Sequence, residues 1–292
     1  MNNTKQNIEN FYYSYKGIIL LLFAEICFAL ASVIAKIIVR SSSIPPIEIT
    51  FWRFLLGTII SFIILLKTNT SFVPQKKGHV LLRSILSTFA FIFFFTAVKY
   101  TSITNANMLN MTYPLFIFIL TPFLSKKIPT KKYIALIIIS LTGIYLIIHP
   151  NFSSINIGDI YGLASGITGA GAVLTLRMAR KYDSSFVILF YLMSVGLVVN
   201  SILMMSQYIS PSNSELILLL LSGVIGYIGQ AFITYGYKFI SARYGSIISS
   251  SRVVFATLFG TIILSESISL QIIIGGILII FSIINIGLTE KQ

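Results

Sequence analysis

A chain of 292 residues that is 56% hydrophobic and only 10% charged, with a mean hydropathy of +0.91, lacks the polar surface that a water-soluble domain of that size must show. Its formal charge of +13 is spread over alternate connections rather than along one stripe, which argues against nucleic acid as a partner. The one cysteine, Cys27, excludes an intramolecular disulfide.

The polar segment 1–16 runs straight into an apolar stretch with no small-residue cleavage site at the usual distance, and it reads as a cytoplasmic segment before an uncleaved anchor. Apolar stretches then recur at 17–38, 47–66, 79–98, 103–124, 132–149, 158–176, 186–205, 216–237, 243–263 and 270–288. Each has the length of a helix crossing a hydrocarbon core of about 30 Å. The fourth and ninth are interrupted by Asn, Ser and Arg. The predicted fold is an all-α integral membrane protein of ten transmembrane helices. The short connections leave no room for a soluble catalytic module, so an enzyme is not expected. No P-loop, HExxH motif or paired cysteine occurs, so neither ATP hydrolysis nor a metal site is expected, and no cofactor.

With the N-terminus in the cytoplasm, that side receives Lys5, Lys16, Lys67, Lys76, Lys77, Arg83, Lys126, Lys127, Lys131, Lys132, Arg177, Arg180, Lys181, Lys238, Arg243 and Lys291. The opposite side holds Lys36, Arg40 and Lys99. This bias predicts both termini in the cytoplasm, with 289–292 a short tail there. The expected location is the cytoplasmic (inner) membrane of a bacterium.

The halves resemble each other at an offset of about 139 residues. Lys99-Tyr100-Thr101-Ser102 lines up with Lys238-Phe239-Ile240-Ser241, Phe116 with Phe255, and Phe51-Trp52-Arg53 with Phe190-Tyr191-Leu192. The expected repeats are 17–149 and 150–288, five spans each. An odd number of spans inverts the second repeat, and two inverted halves can expose a shared mid-membrane site to each side in turn.

These residues resemble the drug/metabolite transporter superfamily and specifically its EamA-type members. The similarity lies in Ala29-Leu30-Ala31-Ser32-Val33-Ile34-Ala35-Lys36, in Phe51-Trp52-Arg53-Phe54, in Thr112-Tyr113-Pro114-Leu115-Phe116, and in Leu264-Ser265-Glu266 with Gln271 and Gly275. Two departures stand out. Lys126-Lys127 replaces a frequent Gly-Glu, and Glu25 occupies a place usually apolar or aromatic. The resemblance implies ten helices in two repeats and transport of a small molecule. Members export amino acids or nucleobase-type metabolites, and one branch imports S-adenosylmethionine.

Glu25, Arg53 and Arg252 are the ionisable groups expected deep in the spans, with Glu25 the only acid there. Such residues face a cavity or a partner, because a charge at the bilayer centre costs about 2.5–3.5 kcal/mol on insertion scales. Counted from the cytoplasmic end, Glu25 and Arg252 both lie roughly 12–14 Å deep and are placed to pair. Arg252 lines the cavity or serves only as an ion-pair partner. Glu25 carries protons or is a carboxylate neutralised by Arg252, and the second reading is preferred. Arg53 packs helices or contacts substrate. Span four, with Asn105, Asn107, Asn110, Thr112, Tyr113 and Pro114, and span nine, with Ser246, Ser249, Ser250 and Ser251, are expected as opposite walls of one cavity. Trp52, Tyr191, Gln230 and Tyr235 are further candidates. The expected substrate-binding set is Trp52, Asn107, Asn110, Tyr113, Tyr191, Gln230, Ser249 and Arg252, with Glu25 and Arg53 in coupling or ion-pair roles. Gly162, Gly166 and Ala170 form a small-xxx-small run for helix packing.

The function expected is secondary active transport of a small polar or amphipathic metabolite, an amino acid or derivative, by alternating access. The alternatives are import of an S-adenosylmethionine-type metabolite and, in another class, a passive channel or lipid-flipping protein. Partners are the small-molecule substrate and membrane lipid. Oligomeric state is left open, and a monomer is compatible with it.

Overall fold

The computed structural model describes residues 2–101, 103–125, 130–149, 156–265 and 268–289, and among them twelve helical segments and no strand. In chain order these are α1 (Asn2–Ser41), α2 (Pro46–Lys67), α3 (Lys77–Tyr100), α4 (Ile103–Asn110), α5 (Tyr113–Ser125) and α6 (Lys131–Ile148). They continue as α7 (Ile157–Ala179), α8 (Ser185–Met204), α9 (Asn213–Gly236), α10 (Ala242–Ser249), α11 (Ser251–Leu264) and α12 (Leu270–Thr289). Each of the ten expected spans is helical, the fourth as α4–α5 and the ninth as α10–α11. Eight stretches, Ala242–Leu264 among them, are long and apolar enough to cross a membrane. Ser102, Lys126, Lys127, Glu266 and Lys291 lie outside the described residues.

Helix starts carry the caps that their sequences encode. Asn156 with Asp159 and Ser212 with Glu215 form capping boxes, and Thr130, Ser184 and Ser241 each accept from a backbone N–H three residues on. Pro46 opens α2, where a missing N–H costs nothing. These caps satisfy amides that would otherwise stay unpaired near an apolar medium.

The main packing pairs are α1 with α9, α3 with α7, α2 with α8 and α6 with α12. Secondary contacts join α2 to α9, α3 to α8, α1 to α11, and α7 to both α4 and α5. Small residues set the distances. A Cβ on Gly143 would meet the Gly275 carbonyl at 2.6 Å, and a Cβ on Gly275 would meet the Gly143 carbonyl at 2.6 Å. Here the backbones of α6 and α12 touch. The small-xxx-small run of α7 receives the α4–α5 junction, with Gly166 against the Leu109 carbonyl and the Thr112 hydroxyl.

Both polar spans break. At the α4–α5 junction Thr112 N–H bonds back to the Leu109 carbonyl, a three-residue closure, and Pro114 stands second in α5. Proline fits a first turn, so the interruption falls before it rather than at it. At α10–α11 Ser250 N–H reaches the Ile247 carbonyl and Val253 N–H the Ser250 carbonyl, again tight turns in an otherwise α-helical path.

The α6–α12 contact has a direct test. Gly275→Val forces two backbones apart and is expected to cost about 1–3 kcal/mol, seen as a lowered thermal midpoint in detergent. Gly276→Ala, with nothing within 4 Å of the added Cβ, is expected to be neutral or slightly stabilising. Equal effects of the two substitutions would contradict the packing described.

Candidate functional site

Glu25 sits in the middle of α1, fully buried, and its Oε2 accepts from Arg252 Nε at 2.6 Å. The Arg252 side chain keeps 27% of its surface accessible, so the pair has one closed end and one open end. Arg252 reaches α1 because it lies in the first turn of α11, directly after the break at Ser250. Its guanidinium lies 4.6 Å from the Phe28 ring centre, and that of Arg53 lies 5.1 Å from the same ring. Phe28 is one helical turn after Glu25 and largely buried. Two cations therefore share one aromatic ring, a contact that strengthens when water is excluded.

Arg53 comes from α2 and is accommodated by α9. A Cβ at Gly226 would meet its Nε at 3.0 Å, and its Nη2 donates to the Gly226 carbonyl at 3.2 Å. Its other neighbour is the Phe91 ring at 5.5 Å. Among the described residues no carboxylate pairs with it. The centre thus holds two guanidinium groups against one carboxylate, an excess of one positive charge in a low-dielectric region.

Several polar atoms around the centre lack partners. Glu25 Oε1 accepts nothing, Gln230 Nε2 donates to nothing, and the Ser250 and Ser251 hydroxyls are unpaired, all of them buried. Gln230 follows Gly229, whose missing side chain lets α9 approach Ala24, Cys27 and Phe28. The Ser249 and Tyr237 hydroxyls are likewise buried and unpaired. An unpaired buried polar group is costly unless something satisfies it, so this cluster fits a polar ligand.

The structure brings together Glu25, Arg53, Tyr113, Ser249 and Arg252, and Gln230 lies one helical turn after Gly226, the residue that Arg53 meets on α9. Tyr191 is near, packed against the cluster that contains Leu21, Phe28 and Tyr237. Trp52 is elsewhere: it packs with Ile34, Ile38, Ile44, Ile49 and Leu219, and its Nε1 is unpaired. Asn110 turns to α7 and donates to Ser165 Oγ at 3.1 Å. Asn107 is half-buried on α4, and Tyr235 is exposed at the end of α9. Spans four and nine are not separated walls, since Tyr113 Oη donates to the Ser246 carbonyl at 3.4 Å.

Three ionisable groups depart from the sequence reading. Arg83, assigned to a membrane face, is buried inside α3 and donates to Ser87 Oγ. Its position as the fifth residue of the expected span 79–98 was the available signal. Glu25 is not the only acid within the spans. Glu48 and Asp159 are buried in the first turns of α2 and α7, where backbone donors hold them: Ile209 N–H for Glu48 and Asn156 N–H for Asp159, with the Thr101 hydroxyl also on Asp159. Phe28, the ring under both guanidinium groups, had no sequence signal beyond its spacing from Glu25. Among the described residues, no three His, Cys, Asp or Glu side chains come close enough together to hold a metal ion.

Comparison with known proteins adds an independent line. The profile described as the EamA-like transporter family matches residues 15–149 and again 156–288. The chain is 27% identical over 278 residues to the pseudopaline exporter CntI of Pseudomonas aeruginosa, covering 94% of this chain and 97% of that one. It is 23% identical over 248 residues to the S-adenosylmethionine uptake transporter of Rickettsia prowazekii, covering 84% of each. A crystal structure sharing 19% identity superposes with a TM-score of 0.74 over 94% of this chain and 95% of the other, a likeness of fold alone.

Breaking the buried pair from one side leaves a bare charge. Glu25→Ala is expected to cost about 3–5 kcal/mol of stability, and the double variant Glu25→Leu/Arg252→Met distinctly less. Thermal unfolding of the purified variants gives the order. A double variant worse than Glu25→Ala would mean that the two groups are not energetically coupled.

Proposed function

This chain belongs to the EamA-like transporter family, and on that premise we propose that it is a secondary active transporter for an amino acid or amino-acid derivative. It moves this cargo across a bacterial cytoplasmic membrane by alternating access, with both termini in the cytoplasm. The single observation that carries the substrate class is the charge balance of the centre. One guanidinium pairs with the carboxylate, a second shares the Phe28 ring with the first, and the carboxylate keeps one oxygen unpaired. A zwitterion completes the set: its carboxylate meets Arg53 and Arg252, and its ammonium meets Glu25 Oε1. The Gln230 amide and the Ser249 and Tyr113 hydroxyls supply neutral hydrogen bonds. Glu25 acts as counter-ion in the empty carrier and as ligand in the loaded one. Trp52, Asn107, Asn110 and Tyr191 hold the surrounding helices.

Alternating access requires halves that can exchange roles, and the packing pattern supports five-helix repeats in inverted orientation. Exchanging each span with the one five later turns the pair α1–α9 into α7–α3, α2–α9 into α8–α3, and α1–α11 into α7–α5. It leaves α2–α8 and α6–α12 unchanged. All of these contacts occur. A set of contacts that maps onto itself is what a pseudo-two-fold axis generates. The broken spans supply the freed backbone groups that transporters of this architecture use at mid-membrane.

Import of an S-adenosylmethionine-type metabolite is a second reading, supported by the name of the Rickettsia relative. That cargo also carries an amino-acid headgroup, so the same centre serves it.

In proteoliposomes loaded with an unlabelled amino-acid mixture, labelled amino acids are expected to show accelerated counterflow. Arg252→Ala or Arg53→Ala is expected to reduce it by roughly 10–100-fold, the loss of one charge-assisted contact, with the protein still in the membrane. Saturable counterflow separates a carrier from a channel or lipid flippase. Flux without trans-acceleration would defeat the carrier reading, and full activity of both Arg variants would defeat the site.

A further inference from the structure

A second polar site lies at the end of the bundle, away from the centre. A cavity of about 730 Å³ opens between the start of α8 and the end of α9. Its polar rim is Arg180, Lys181, Asp183, Ser184, Ser185 and Lys238, and its wall is Phe186, Leu189, Ala231 and Phe232. The rim is cationic beyond its own needs. Arg180 is only 7% exposed; it spends one terminal nitrogen on the Asp183 carbonyl and leaves Nε without a partner. The Ser185 hydroxyl, in the first turn of α8, is buried and unpaired as well. Lys181 and Lys238 are exposed.

The nearby negative charges are already engaged. Both Asp183 carboxylate oxygens face the α2–α3 connection, accepting from Gln75 N–H at 2.6 Å and Lys76 N–H at 3.2 Å. The carbonyls that close α9 are bound by Arg177, which donates to those of Tyr237 and Lys238 at 2.9 and 2.7 Å. Lys16 adds a further cation, 5.7 Å from the ring centre of Tyr235, which also lines the cavity. What remains is an anion-seeking rim, with an α-helix N-terminus in it, above an apolar wall.

We propose that this cavity binds an anionic phospholipid. The headgroup phosphate sits against Arg180, Lys181, Lys238 and the first turn of α8, and an acyl chain lies along Phe186, Leu189 and Phe232. A soluble phosphate would use the rim but not the apolar wall, and a zwitterionic lipid would use the wall while leaving the excess charge unbalanced. The lipid site is independent of the transport reading, because none of its residues belongs to the Glu25–Arg252 centre. Its occupant bridges α8 and α9 at the same end as the α7–α8 turn.

Native mass spectrometry of the full-length protein titrated with phosphatidylglycerol, phosphatidylcholine or inorganic phosphate tests this. Phosphatidylglycerol is expected to bind at least roughly tenfold tighter than phosphatidylcholine, at about unit stoichiometry, and Lys181→Gln/Lys238→Gln should erase that preference. Lys131→Gln/Lys132→Gln removes the same charge from two exposed lysines at the same end of the bundle and should leave the preference intact. Arg180→Gln should act like the lysine pair where it folds, and the surface lysines keep the test decisive where it does not. Equal loss in both double variants would reduce the effect to general surface attraction. Inorganic phosphate binding as tightly as the lipid would assign the rim to a soluble anion. Either result overturns the proposal.

Discussion

The contact on which the arrangement depends is the ion pair between Glu25 and Arg252. Neither group can stand alone in a hydrocarbon setting, so α1 and α11 must meet, and they must meet near the break at Ser250 that starts α11 in the right place. The pair then recruits Phe28, one turn along α1, as a common platform for Arg252 and Arg53. Arg53 in turn requires the absence of a side chain at Gly226, which commits α9 to the same locus. Four helices are registered by two arginines, one glutamate and a glycine.

The pair is arranged economically but incompletely. Arg252 meets Glu25 through Nε alone, one carboxylate oxygen stays unpaired, and the second guanidinium has only a carbonyl and two rings. A structural salt bridge optimised for stability would be bidentate and fully hydrogen-bonded. What is left unsatisfied here is both positive and negative, which is the complement of a zwitterion. The same logic separates the rim at the end of the bundle, where the acids are engaged by backbone donors and only positive charge remains.

Much of the frame was legible because hydrocarbon punishes unpaired backbone severely. Ten apolar stretches could only be helices, and the capping residues Thr130, Asn156, Ser184, Ser212 and Ser241 stand at the starts that their side chains prefer. Glu25 and Arg252 were visible as costly residues at matching depth. Arg83 was misassigned because charge counting treats a residue near a span end as solvated, whereas its side chain folds inward onto Ser87. Trp52 was a candidate as a polar aromatic group within the span that carries Arg53. Successive residues on a helix point in different directions, and the indole packs with Ile38 and Leu219 instead.

The sequence by itself determined the solvent, the helical character of the apolar stretches and the few charges that must find partners, because each follows from the transfer cost of a group taken singly. Only the tertiary structure decided which partners they found. It set Phe28 against two guanidinium groups, brought Tyr113 onto the Ser246 carbonyl so that spans four and nine touch, and sent Asn110 to Ser165 on α7. These outcomes depend on which helix faces which. That choice is governed by where glycines allow backbones to approach, and it has no expression in any single residue's polarity.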